Sequence, residues 1–231
     1  MLRVYYGGSF DPVHNGHLAI ARAARDRLQS DVALVPARDP PHKPPTGADA
    51  EQRARMLELA IAGEPGLRVD RRELARPGPS WTVDTLSELR AELGAEAAIA
   101  WLVGADSLGQ LHSWSRWKRL FELAHLLAVA RPGFALDADA LHAGAPEVLA
   151  EIAPRQRDPE ALAESPAGWF ALLELPQLRI ESSSELRRRI ALRDPGWRDW
   201  LPAAVASEIV RQGLYGASAA ILPPTPSSDC P

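Results

Sequence analysis

Short apolar runs alternate with longer stretches of helical periodicity along almost the whole of this chain, and that alternation is its tightest constraint. Residues 2–6, 31–36, 67–70, 98–103, 126–130 and 171–175 read as strands. Between and after them, 16–29, 51–62, a segment from about Thr82, the amphipathic stretch 114–123, a segment from Ser182 and 203–212 read as helices. A strand that returns beside its predecessor through a helix must pair in parallel, and such crossovers are right-handed. The expected fold is therefore α/β: a doubly wound parallel sheet with helices on both faces.

At 231 residues the chain can bury one sizeable core, and a single domain is expected over 1–216. The stretch 137–169 mixes Ala-rich text with Pro146, Pro154, Pro159 and Pro166, and reads as a helical excursion on the same domain. The final segment 217–231, small, polar and proline-rich, is expected to be disordered. A net charge of −4 argues against a nucleic-acid partner. No apolar run approaches the length of a bilayer span, so no membrane partner is expected. Cys230 has no second cysteine to pair with, and the N-terminus carries no signal-peptide pattern, which together predict a cytoplasmic protein. A homo-oligomer is compatible with the sequence.

The chemistry concentrates in "GGSFDPVHNGHL", residues 7–18. It lies at the carboxyl end of the first strand, where ligands of parallel sheets bind, and runs into a helix N-terminus. Gly7 and Gly8 would let backbone N–H groups approach an anion, and the helix dipole favours phosphate there. Neither G-x-G-x-x-G nor G-x-x-x-x-G-K-[ST] occurs at this strand end. In their place stand His14 and His17, three residues apart at a helix start, where two imidazoles can face one ligand. A glycine pair alone fits an ordinary turn, and a lone histidine is more often structural. The combination points to a phosphate site.

These residues resemble the first signature of the nucleotidyltransferase superfamily that carries the H-x-G-H motif. "SSSELR", 182–187, resembles its second signature, with Glu181 where Ile is usual and Ser184 where Thr is usual. "PPHK" at 40–43, "RARMLELAI" at 53–61, "PSWTVDTL" at 79–86, "GADSL" at 104–108, "HSWSRW" at 112–117 and "GLYG" at 213–216 narrow the resemblance to the bacterial nicotinate mononucleotide adenylyltransferase family.

The resemblance implies a Rossmann-like fold and AMP transfer from ATP to nicotinate mononucleotide, giving nicotinate adenine dinucleotide and pyrophosphate in NAD biosynthesis. It assigns His14, His17, Lys43 and Arg187 to catalysis. It assigns Gly7, Gly8, Ser9, Phe10, His42, Gly104, Asp106, Ser182 and Ser184, with those four, to ATP. Ser80, Trp81, Thr82, Asp106 and Trp114 would hold the acceptor, the amides of 80–82 receiving the nicotinate carboxylate and the two indoles stacking on the pyridine ring. Most members carry Tyr where Trp81 stands. Magnesium is implied as the cofactor, held mainly through ATP phosphates and water, with no direct protein ligand. Lys43 and Lys118 are the only lysines, and Lys43 lies in the proline-studded loop 37–47, expected to close over phosphate as a flap. Alternatives are an adenylyltransferase for another phosphorylated acceptor such as nicotinamide mononucleotide, a non-catalytic nucleotide-binding module, and a metal-dependent hydrolase using His14, His17 and His42.

Overall fold

All six strands run parallel. In the computed structural model, which describes residues 1–40, 46–130, 141, 143–175, 177 and 179–217, they are β1 (Arg3–Gly8), β2 (Val32–Pro36), β3 (Leu67–Val69), β4 (Ile99–Gly104), β5 (His125–Ala130) and β6 (Phe170–Glu174). Their spatial order is β3-β2-β1-β4-β5-β6, the doubly wound arrangement expected. β1 is the pivot: it pairs with β2 on one side and β4 on the other. It also runs two residues past the expected end, because Gly7 and Gly8 continue the ladder opposite Val35 and Pro36.

Alternation along each strand sorts the core into two layers. Val4 and Tyr6, Val32 and Leu34, and Ala100 and Leu102 face one layer. There they meet α1 (Asn15–Leu28), α2 (Ala50–Ala60), α7 (Ser183–Ala191) and α8 (Ala203–Gln212). Tyr5, Ala33 and Val35, with Ile99, Trp101 and Val103, face the other layer. Its helices are α4 (Thr82–Leu93), α5 (Leu120–Leu123) and α6 (Pro146–Ile152), while α3 (Arg72–Ala75) is a single turn after β3. With both faces covered, the strands read as continuous apolar runs, which is why they were legible.

The stretch 114–123 is not one helix. The 3-10 helix Ala105–Ser113 ends before it, Arg116 adopts a left-handed conformation with φ +50°, and only then do a short 3-10 turn (Trp117–Arg119) and α5 follow. Within 137–169, Pro146, Pro154 and Pro159 each stand in the first turn of a short helical element, and Val148, Ile152 and Leu162 are buried. Residues 137–140 and 218–231 lie outside the described residues, and with them nearly all of the segment expected to be disordered.

His125 in β5 is a core histidine. It is 1% exposed; its Nδ1 accepts from the Trp169 N–H (3.1 Å) and its Nε2 lies 2.8 Å from the Ser165 carbonyl. Desolvation pushes its pKa below the ordinary value of 6.5. Above that value both folded and unfolded chains hold it neutral. Below it the unfolded chain binds a proton that the folded chain refuses, so stability falls as pH falls. Urea denaturation at pH 7.5 and 5.5 checks this: wild type should lose more stability between the two than His125→Gln does. Equal losses would assign the acid sensitivity to other groups.

Candidate active site

Between β1 and β4 the order of the sheet reverses, and the connections from their carboxyl ends leave on opposite faces. A cleft of about 520 Å3 opens there, lined by both strand ends and by the starts of α1, α4 and α7. Its floor is the stretch 7–18.

His14 is the N-cap of α1 and His17 its third residue, and together they form a capping box made entirely of histidines. The His17 N–H donates to His14 Nδ1 (3.4 Å) and the His14 N–H to His17 Nδ1 (3.3 Å). The rings stack with centroids 3.7 Å apart and planes 29° from parallel. Since each Nδ1 accepts a backbone N–H, the ring proton belongs on Nε2 of both. Gly16 leaves room for this stack: a Cβ there would press on the His14 ring, 3.0 Å from Nδ1 and 3.1 Å from Cε1.

The two strand-end glycines do something other than adopt unusual backbone angles, for neither has a positive φ. A Cβ on Gly7 would lie 2.1 Å from Cζ2 of Trp101, so the position is empty to admit that indole from β4. The positive φ of this turn falls on Phe10, at +48°. Phe10 is buried, its ring 5.4 Å from Tyr6 and 5.0 Å from His17, and it supports the second histidine from below. The next bond, Asp11–Pro12, is cis.

At the second signature, Ser182 caps α7 by accepting from the Glu185 N–H (3.3 Å), and Ser183 Oγ donates to the Pro12 carbonyl (3.0 Å). Ser182, Ser184 and Arg187 line the cleft beside His14 and His17, as do Gly7, Gly8, Ser9 and Gly104. Glu181 is buried, with Arg179 Nη1 3.5 Å from Oε1. Asp106 follows Gly104 in the 3-10 helix, its side chain outside the description. His42 and Lys43 lie outside the described residues, and so does the body of the loop expected to act as a flap.

On the far side of the cleft lie Ser80, Trp81, Thr82 and Trp114. Here the structure redistributes roles. The Ser80 hydroxyl accepts from the N–H groups of Arg38 (2.9 Å) and Asp39 (3.3 Å), and hydrogen-bonds to Glu73. The Ser80 N–H donates to the Asp39 carbonyl (2.9 Å), and that of Trp81 to the Pro79 carbonyl (3.1 Å). Ser80 therefore stitches the end of β2 to the start of α4. The N–H of Thr82, first residue of that helix, is among those a helix leaves without an intrahelical partner. Glu73, also lining the cleft, is buried; desolvation pushes its carboxyl above the ordinary glutamate range, and Thr85 Oγ1 donates to it (2.6 Å).

Sequence reasoning passed over Glu73, Trp101 and Asp11. Asp11 stood in plain view within the signature, but its partners are 36 to 204 residues away, and no local pattern reveals them.

The comparisons agree with this geometry. The cytidylyltransferase-like family model matches residues 5–189. A Stenotrophomonas maltophilia protein named "Probable nicotinate-nucleotide adenylyltransferase" is 54% identical over 220 residues, 93% of this chain and 96% of that one. One of the same name from Laribacter hongkongensis is 49% identical over 199 residues, 86% and 87% of the two chains. The Plasmodium falciparum nicotinic acid mononucleotide adenylyltransferase, solved in complex with NaAD, has the same fold: TM-score 0.68 at 17% identity, over 93% of this chain and 97% of that one. With two histidines capping one helix at the switch point of a doubly wound sheet, and relatives of this identity over nearly its full length, the chain belongs to the cytidylyltransferase-like family and, within it, to the nicotinate-nucleotide adenylyltransferases.

Proposed function

We propose that the cleft joins ATP to nicotinate mononucleotide as follows. An oxygen of the acceptor's 5′-phosphate forms a bond to the α-phosphorus of ATP. The bond from that phosphorus to the oxygen bridging it to the β-phosphate breaks, and its electron pair leaves with pyrophosphate. The nucleophile is already an anion, so no general base is needed. The work is to hold two polyanions together and to stabilise charge on the reacting phosphate and the leaving group.

The stacked histidines carry this reading. With each Nδ1 occupied by the backbone, the Nε2–H groups of His14 and His17 become fixed donors for phosphate oxygens. Donors fixed before the reaction need not reorganise during it, which is where electrostatic catalysis gains most. The N–H groups of Gly7, Gly8, Ser9 and Phe10, the hydroxyl of Ser184 and the guanidinium of Arg187 complete the phosphate side, with Ser182 shaping the helix start. His42 and Lys43 are assigned there as well. Gly104 and Asp106 are assigned to the sugars and bases, Asp106 toward both substrates. Trp81 and Trp114 are assigned to the pyridine face, and the Thr82 N–H to the ring carboxylate, while Ser80 positions that amide without needing to touch the ligand. Among the described residues no three His, Cys, Asp or Glu side chains gather as a metal cage. The donor-rich cleft instead suits magnesium entering on the ATP oxygens and water, where it would neutralise phosphate charge.

Two outcomes follow. His14→Asn should keep the helix cap, since Asn is as good an N-cap as any, and lose the Nε2–H. Its melting temperature should stay within a few degrees of wild type while kcat and kcat/KM fall together by about 100-fold or more. A folded variant with near-normal turnover would remove the histidine from the chemistry. For the acceptor, a charge-assisted hydrogen bond is worth about 1.5–3 kcal/mol against about 0.5–1.5 for a neutral one. Pyrophosphate release should then favour nicotinate over nicotinamide mononucleotide by at least about tenfold in kcat/KM. Trp114→Ala should weaken both acceptors and leave their ratio unchanged, because both rings offer a similar face for stacking. Equal use of the two by wild type would contradict the acceptor assignment.

A further inference from the structure

Asp11 takes no part in the scheme above, yet three distant stretches of the chain reach it. It is 3% exposed. Its Oδ2 accepts from the Gly47 N–H (2.8 Å), and its Oδ1 from the Ala48 N–H (3.1 Å) and the Tyr215 hydroxyl (2.8 Å). Arg187 reaches it twice, Nη1 standing 2.5 Å from its carbonyl oxygen and 3.4 Å from Oδ2. One carboxylate thus ties the first signature to the second, to the segment leading into α2, and to the C-terminal turn.

The packing around it leaves little slack. Tyr215 holds a left-handed backbone at φ +57°, and its ring lies where a Cβ on Gly47 would come within 2.8 Å. Burial, and then proximity to the carboxylate, push the Tyr215 hydroxyl toward its protonated form, which keeps it a donor. Arg187, by contrast, is partly exposed and lines the cleft. A guanidinium has five N–H donors in a rigid fork. Anchoring one nitrogen on Asp11 fixes the plane of the fork and the direction in which its other donors point.

We infer that Asp11 is a positioning residue for the phosphate side of the site: it sets the orientation of Arg187, and the C-terminal Tyr215 in turn holds Asp11. The inference rests on the reading of Arg187 as a phosphate contact. A purely structural carboxylate would stabilise the fold without its effect depending on Arg187. A positioning one must act through Arg187, so the two losses should not multiply.

The test is magnesium-ATP affinity by calorimetry, without acceptor, for wild type, Asp11→Asn, Arg187→Gln, the double variant and Tyr215→Phe. Asn matches the shape of Asp but removes the charge and one acceptor. Each single charge variant is expected to weaken ATP by about tenfold, and the double variant by no more than about twofold beyond the weaker-binding single. Losses that multiply to about 100-fold, or an Asp11→Asn protein with wild-type affinity, would overturn the inference. Should Asp11→Asn fail to melt cooperatively, Tyr215→Phe decides: it keeps the ring on Gly47 and removes one donor. It should weaken ATP about threefold in wild type and not at all in an Arg187→Gln background; unchanged affinity in wild type would overturn the inference. Because no acceptor is present, a protein showing this coupling while ignoring nicotinate mononucleotide would refute only the proposed acceptor. A wild type that does not bind ATP would refute both.

Discussion

A cleft whose floor is a loop has to be held open from behind, and here Arg53 holds it. Its side chain is wholly buried in α2, yet its three nitrogens donate to carbonyls from three separate stretches: Ser9 (2.7 Å), Arg38 (3.0 Å) and Ala48 (3.2 Å). Burying a guanidinium is costly, and desolvation does pull its pKa below the ordinary arginine value, opposed by the nearby negative charge of Asp11. Three carbonyls and a neighbouring carboxylate offset that cost. Only a planar fork can serve three acceptors in one plane, so a lysine could not replace it. The loop after β1, the end of β2 and the entry to α2 therefore share one anchor, and the cleft floor takes its shape from it.

On that floor the histidine pair serves two ends with one arrangement. As helix caps, His14 and His17 satisfy N–H groups that α1 would leave exposed. The bonds that cap the helix also fix both rings, because each consumes an Nδ1. The stacking distance, the glycine at 16 that permits it and the edge of Phe10 beneath His17 hold those rings in place. Structure and chemistry here are not competing readings of the same residues. In the proposed reaction the cap is what aims the donors.

How much of this was legible depends on the range of the interaction. Strands buried on both faces and helices with one apolar stripe announce themselves locally, so the six strands and the longer helices could be read from periodicity, and their alternation implied a parallel sheet. The reading failed where a single backbone angle decided the outcome, as at Arg116, whose left-handed conformation no propensity foretells. It also left part of each residue's work unseen. Gly7, read as a close approach to an anion, also makes room for Trp101; Ser80, read as a ligand contact, also staples two loops together. Asp11, Arg53 and Tyr215 all sat inside recognisable motifs, but what they do is visible only once residues up to 204 positions apart are brought together.

The account depends most on the claim that the backbone dictates which nitrogen of each histidine carries the proton. Nitrogen-15 NMR of the protein labelled in its imidazole rings reads this directly, since protonated and unprotonated ring nitrogens have well-separated shifts. With His14 and His17 assigned by single substitutions, both rings should appear with the proton on Nε2 and Nδ1 as acceptor, above the pH at which either ring becomes charged. A proton on Nδ1 of either ring would contradict the account, for the capping bond and the aimed donor would then both be absent.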